Sequence, residues 1–166
     1  MLKSKDFYLK NIYSNEGRKI GVVEDIYIDF YNGKIVGFKS SETGIFSRSN
    51  YIDINAVIDI GEDVIVYESK RGSGLGVKSL KNMKIIDSNG SIKGVLEDII
   101  IEEYSYAIKG IVISSGLIDR LVKGKEILLI DECILGDEYI LYTGKNNILF
   151  KTMPHNMEKK NEYSKA

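Results

Sequence analysis

One stretch of this chain occurs twice, and a duplication restricts the possible folds more tightly than any compositional value. Gly21-Val22-Val23-Glu24-Asp25-Ile26 recurs as Gly94-Val95-Leu96-Glu97-Asp98-Ile99, and the same offset of 73 pairs Gly17 with Gly90, Ile28 with Ile101, Ile35 with Ile108 and Gly37 with Gly110. Downstream, Gly61-Glu62-Asp63-Val64-Ile65-Val66-Tyr67 answers to Gly136-Asp137-Glu138-Tyr139-Ile140-Leu141-Tyr142 at an offset of 75. Upstream, Leu9-Lys10-Asn11 matches Leu80-Lys81-Asn82. A unit of about 70 residues is long for a solenoid repeat and fits a small domain duplicated once.

Within each unit, short β-branched runs alternate with Gly, Asn, Asp and Ser clusters, which predicts strands at Val22–Ile28, Ile35–Lys39, Val64–Tyr67, Ile99–Ile101, Ile108–Ile113 and Tyr139–Tyr142. Asn32-Gly33 reads as a type I′ hairpin turn, and Asn15-Glu16-Gly17 and Ser88-Asn89-Gly90 mark a second turn in each copy. Each unit therefore reads as a meander of hairpins closing into a small barrel. Helix signals are confined to Leu117–Lys123 before Gly124. The expected organisation is a barrel over 1–70, a connector over 71–79, a second barrel over 80–150 and a polar, mobile tail over 151–166. The two barrels are expected to pack as a rigid pair, with Ile12, Met83 and Ile85 close to the junction.

Charge follows the same boundaries. Residues 12–67 sum to −4 and residues 85–142 to −6, while 68–84 carry Lys70, Arg71, Lys78, Lys81 and Lys84 against Glu68 alone. The whole chain has a net charge of −1, so no global field draws it to nucleic acid or anionic lipid. The N-terminus lacks the apolar run of a signal peptide and no segment approaches the roughly 18 apolar residues of a membrane span. A cytoplasmic protein without membrane insertion is expected, and the single cysteine agrees with a reducing compartment.

A Gly turn, then Gly-x-Val-x-Asp, a second turn, Ile-x-Gly and a final acidic turn before an aliphatic strand resemble the PRC-barrel family. In the first copy the carrying residues are Gly17, Gly21, Val23, Asp25, Gly33, Ile35 and Gly37, and in the second Gly90, Gly94, Leu96, Asp98, Ile108 and Gly110. Tyr106 stands where Gly33 would recur, so a different second hairpin turn is expected. The segment from Ser114 to Lys125 looks like the connecting stretch of tandem bacterial members. The resemblance implies an all-β fold of two tandem PRC-type barrels used as docking surfaces, as in a photosynthetic reaction-centre subunit and a ribosome maturation factor.

Few residues invite chemistry. Glu24-Asp25 and Glu97-Asp98 could serve a cation or acid/base work, but neighbours on a strand point to opposite faces, so Asp25 and Asp98 are expected to bond turn backbone or lysines. Arg71-Gly72-Ser73-Gly74-Leu75-Gly76-Val77-Lys78-Ser79 has the wrong spacing for a phosphate loop and reads as a flexible Gly/Ser linker. His155 has no partner in sequence, Cys133 reads as a buried thiol, and Tyr67 and Tyr142 read as equivalent rim residues. No catalytic centre, metal or cofactor is expected. The expected function is a protein-binding adaptor of a bacterial cytoplasm; the alternative is an RNA- or ribosome-associated factor binding through Lys70, Arg71, Lys78, Lys81 and Lys84.

Overall fold

The computed structural model describes residues 1–41, 50–114, 125–144 and 148–150. Among them the protein is all-β, with two separate sheets. The first repeat contributes β1 (Leu2–Lys3), β2 (Asn11–Ser14), β3 (Lys19–Asp29), β4 (Lys34–Ser40), β5 (Tyr51–Asp53), β6 (Val57–Ile60) and β7 (Val64–Val66). The second contributes β8 (Leu75–Gly76), one helical turn α1 (Val77–Leu80), β9 (Lys84–Asp87), β10 (Ile92–Ile101), β11 (Ile108–Ser114), β12 (Lys125–Leu129), β13 (Cys133–Leu135), β14 (Tyr139–Tyr142) and β15 (Ile148–Phe150). The expected helix at Leu117–Lys123 and the expected mobile tail lie outside the described residues, as does His155.

The first sheet runs β5-β4-β3-β2-β7-β6 and the second β13-β14-β9-β10-β11-β12-β15. Neither is a pure meander, because β2 pairs with β7 and β9 with β14 in parallel. A hairpin cannot make a parallel pair, so each chain must cross over before its last hairpin. Short 3-10 turns at Ile54–Ala56 and Ile130–Glu132 make that change of direction.

The two outermost short strands are exchanged between repeats. β1 lies on β10, pairing Leu2 with Ile101, while β8 lies on β3, pairing Leu75 with Ile28. At the offset of 73 these are one contact made twice in opposite directions, the reciprocal pattern of a two-fold dimer within a single chain. A second reciprocal contact joins the hairpin tips: Ile35 N–H donates to Tyr106 O at 3.3 Å and Ile108 N–H to Gly33 O at 2.7 Å. Buried residues of both repeats, among them Phe7, Ile12, Ile26 and Phe38 with Ile85, Ile99 and Ile111, form one contiguous cluster. Units of this size are marginally stable alone, and pooling two cores adds buried surface to both.

The exchange corrects the expected linker. The glycine-rich connector contains β8 and α1, and Val77 and Leu80 are buried. Its glycines are needed for close approach: a Cβ on Gly72 would lie 2.8 Å from the Tyr51 ring, and one on Gly74 3.0 Å from the Tyr27 ring. Those two rings stack at 5.6 Å, so the segment is a strap laid flat over an aromatic pair.

Three finer expectations also change. Upstream the repeat keeps the offset of 73: Leu9, at φ +66°, corresponds to Asn82, at +67°, and not to Leu80. Downstream, Ile12↔Val64 and Ile85↔Ile140 set the strand offset at 76, one residue from the value that aligns the glycine turns. A slip of one residue inverts every side chain on a strand. Tyr67 and Tyr142 are accordingly not equivalent; Tyr67 is 64% exposed and Tyr142 2%. The Asn32-Gly33 hairpin is not type I′, since only Gly33 has positive φ, +57°, and Tyr106 adopts the same conformation at +53°.

Candidate functional site

Asp25 and Asp98 are buried where β3 and β10 are irregular in register against β4 and β11. The neighbour of Asp25 is engaged elsewhere: Glu24 ion-pairs with Lys39 at 2.8 Å. Asp25 accepts the N–H of Ile26 at 2.8 Å and that of Lys78 at 3.2 Å. Asp98 accepts the N–H of Ile99 at 2.9 Å and that of Ser4 at 3.0 Å, and also the Ser4 hydroxyl. Each carboxylate thus ties down the segment donated by the other repeat, a structural role that the two acids share. Gly37 and Gly110 explain themselves similarly, because a Cβ at either would run into the carbonyl of Ile52 or Leu128 on the neighbouring strand. Gly17 and Gly90 supply positive φ, +80° and +79°, in equivalent turns, and Gly21 and Gly94 sit buried at the β2–β3 and β9–β10 irregularities.

The five basic residues expected to act together are not gathered. Lys70 is bonded to Asp53 at 3.0 Å, and the Asn55 N–H together with that lysine holds the Asp53 carboxyl below its usual range. Arg71 is exposed beside it, and Lys84 stands on β9 of the second sheet. Lys78 and Lys81 are brought to one ring, with their ammonium groups 4.9 and 5.3 Å from the centroid of Tyr8.

Cys133 is buried, and burial with nearby Glu132 and Asp131 pushes its thiol up to about 12, far from a nucleophile's range. Tyr142 is likewise pushed to about 12 by burial and by Glu132, whose carboxylate accepts its hydroxyl at 3.2 Å. Among the described residues no group of three His, Cys, Asp or Glu side chains converges to hold a metal ion.

The feature that sequence reading missed is at the sheet ends. Among the described residues β6 and β13 are the outermost strands on corresponding sides, each paired with one neighbouring strand. Each carries an isoleucine facing solvent, Ile58 at 44% and Ile134 at 49% exposure, and these correspond at the offset of 76. The β6 edge is guarded by Asp59 and a register irregularity. The β13 edge is regular, and a hydrogen bond from the Tyr31 hydroxyl reaches its Leu135 carbonyl at 2.8 Å. Unpaired backbone beside an exposed aliphatic side chain is a template for another strand. The opposite end of the first sheet is partly covered, since Tyr51 and Lys70 exchange both backbone hydrogen bonds at 2.9 Å.

No helix among the described residues is long and apolar enough to cross a membrane. No curated protein matches the chain. Residues 1–74, which span β1 to β7 and the first Asp and Gly positions of the repeat, match the family model of the PRC-barrel domain, so the first repeat is similar to a PRC-barrel.

Proposed function

We propose that the chain is a non-catalytic docking module, built of two PRC-type barrels, that receives an extended segment of a protein partner along its free strand edges in a bacterial cytoplasm. The observation that carries this reading is the equivalent pair of edge strands, β6 and β13, each paired with a strand on one side only among the described residues and each with an outward isoleucine. Strand addition supplies main-chain hydrogen bonds for affinity, while alternate side chains select the sequence. The β13 edge lacks the charge and the irregularity of β6, and a strand added there takes the place of the Tyr31 hydroxyl on the Leu135 carbonyl.

The experiment is affinity capture from the native host's lysate with and without ribonuclease, using the wild-type chain and the Ile58→Lys/Ile134→Lys variant. Captured proteins that survive ribonuclease and vanish with the edge variant support the reading. Amide exchange on the complex with the purified partner is then slowed at residues 133–135. Capture that depends on RNA, or that ignores the edge variant, overturns it and returns the RNA-associated alternative.

A further inference from the structure

Strand exchange brings together two basic segments that are 73 residues apart in the chain. Residues 1–11 hold Lys3, Lys5 and Lys10 against Asp6, and residues 74–84 hold Lys78, Lys81 and Lys84 with no acidic residue. The segments on either side are acidic, −4 over 12–67 and −6 over 85–142. The two basic pieces meet at Tyr8. Its hydroxyl is buried beside Ser4 and Asp25. The ammonium groups of Lys78 and Lys81 lie 4.9 and 5.3 Å from the ring centroid. Neither forms an ion pair among the described residues. Two cations held over one ring gain from its π face but repel each other, and an anion between them relieves that repulsion.

The next residue adds an independent signal. Leu9 has φ +66° and is 78% exposed. The fold needs this backbone conformation, because Leu9 N–H donates to Val23 O at 2.9 Å just as Asn82 N–H donates to Leu96 O at 2.9 Å. The second repeat fills the position with asparagine, which enters the left-handed region easily. Leucine does not, and here its side chain gains no burial in return. A strained residue that presents an apolar surface to water is explained by something that covers it.

We propose that Tyr8, Leu9, Lys78 and Lys81 form a second docking face, which takes a short acidic peptide segment with an apolar residue seated on Leu9. This face shares no residue with the β6 and β13 edges and does not depend on them. Charge complementarity selects an anion, and the acidic barrel segments select a short one. A long polyanion such as RNA runs from the basic face onto like charge, whereas a few acidic residues stay within it.

The test is fluorescence anisotropy on the full chain with three labelled probes: a 12-residue peptide of glutamates and leucines, its lysine-for-glutamate counterpart, and a 12-nucleotide oligouridylate. The acidic peptide is expected to bind, more weakly as salt rises, and the other two are not. Lys78→Glu/Lys81→Glu lowers its affinity at least about tenfold. Leu9→Asn, which installs the second repeat's residue, lowers affinity about threefold to tenfold while raising the melting temperature, because strain is removed. Tighter binding of the oligouridylate overturns the proposal in favour of a nucleic-acid contact. Absence of peptide binding, or binding indifferent to the lysine reversal, also overturns it. A Leu9→Asn variant that melts lower assigns Leu9 a structural role and overturns its part.

Discussion

The two repeats share a backbone and differ in what they place on it. Gly33 and Tyr106 stand at one position, with φ of +57° and +53°, although one is the residue suited to that conformation and the other is not. Leu9 and Asn82 repeat the contrast with the roles reversed. Asp25 and Asp98 fasten the other repeat's incoming segment in both directions, but the segment that reaches Asp98 brings a hydroxyl, Ser4, where the segment that reaches Asp25 has Val77. Reciprocal contacts therefore fix the main chain, while side chains at the same places diverge as far as the shared core and the fastening acids allow.

The fastening acids provide the largest test of that comparison. Asp98→Ala leaves the Ser4 and Ile99 N–H groups and the Ser4 hydroxyl without their acceptor, and should cost about 3–4 kcal/mol in urea denaturation. Asp25→Ala, with fewer donors to abandon, should cost about 1 kcal/mol less. Equal losses would break the claim that the two fastenings differ in strength. Gly37→Ala and Gly110→Ala should behave alike instead, each costing roughly 2–3 kcal/mol, because both push a methyl group into a neighbouring strand's backbone. A tolerant Gly110 in the same denaturation assay would show that the second sheet yields where the first does not.

Cys133→Val transplants the residue of the equivalent first-repeat position, Val57, and should change stability by less than about 1 kcal/mol. The same thiol in the native protein should resist a disulfide reagent at pH 8, since its pKa is about 12 and the residue is buried. Rapid labelling would place it on the surface. The smallest effects belong to the exposed hairpin acids Asp29 and Glu102, which correspond at the offset of 73. Asp29 is lowered by hydrogen bonds from the Asn32 side chain and backbone. Glu102 is lowered to about 2 by the Ser105 hydroxyl and the N–H groups of Tyr104 and Ser105. Both are depressed carboxylates, so their contribution is present above the unfolded pKa, near 4, and is lost as pH falls through the folded value. NMR titration of the side-chain carboxyl resonances should find both midpoints low; an ordinary midpoint for either would mean that its hairpin cap is open in solution.

Much of this architecture was legible because it rests on local chemistry. Gly17 and Gly90 announce turns, and the β-branched runs around Val22 and Ile108 announce strands that the structure contains. The offset of 75 failed because it followed Gly61 and Gly136, whereas the β6–β7 hairpin carries a register irregularity that its counterpart lacks. One residue of slip hid the correspondence of Ile58 with Ile134 and made Tyr67 and Tyr142 look alike. The edge site was invisible for the same reason, with β6 and β13 too short for alternation to register.

By itself the sequence determined the duplication, the β class and the position of most turns, since each depends on residues close in the chain and on backbone conformations that only certain residues favour. The tertiary structure alone decided which strand pairs with which. β1 and β8 are two-residue strands with no preference of their own, and they settle on the other repeat because Asp98 and Asp25 there accept the N–H groups of Ser4 and Lys78, just beyond them in the chain. That choice turned a linker into a strap, brought Lys78 and Lys81 to Tyr8, and left β6 and β13 at the ends of the sheets among the described residues.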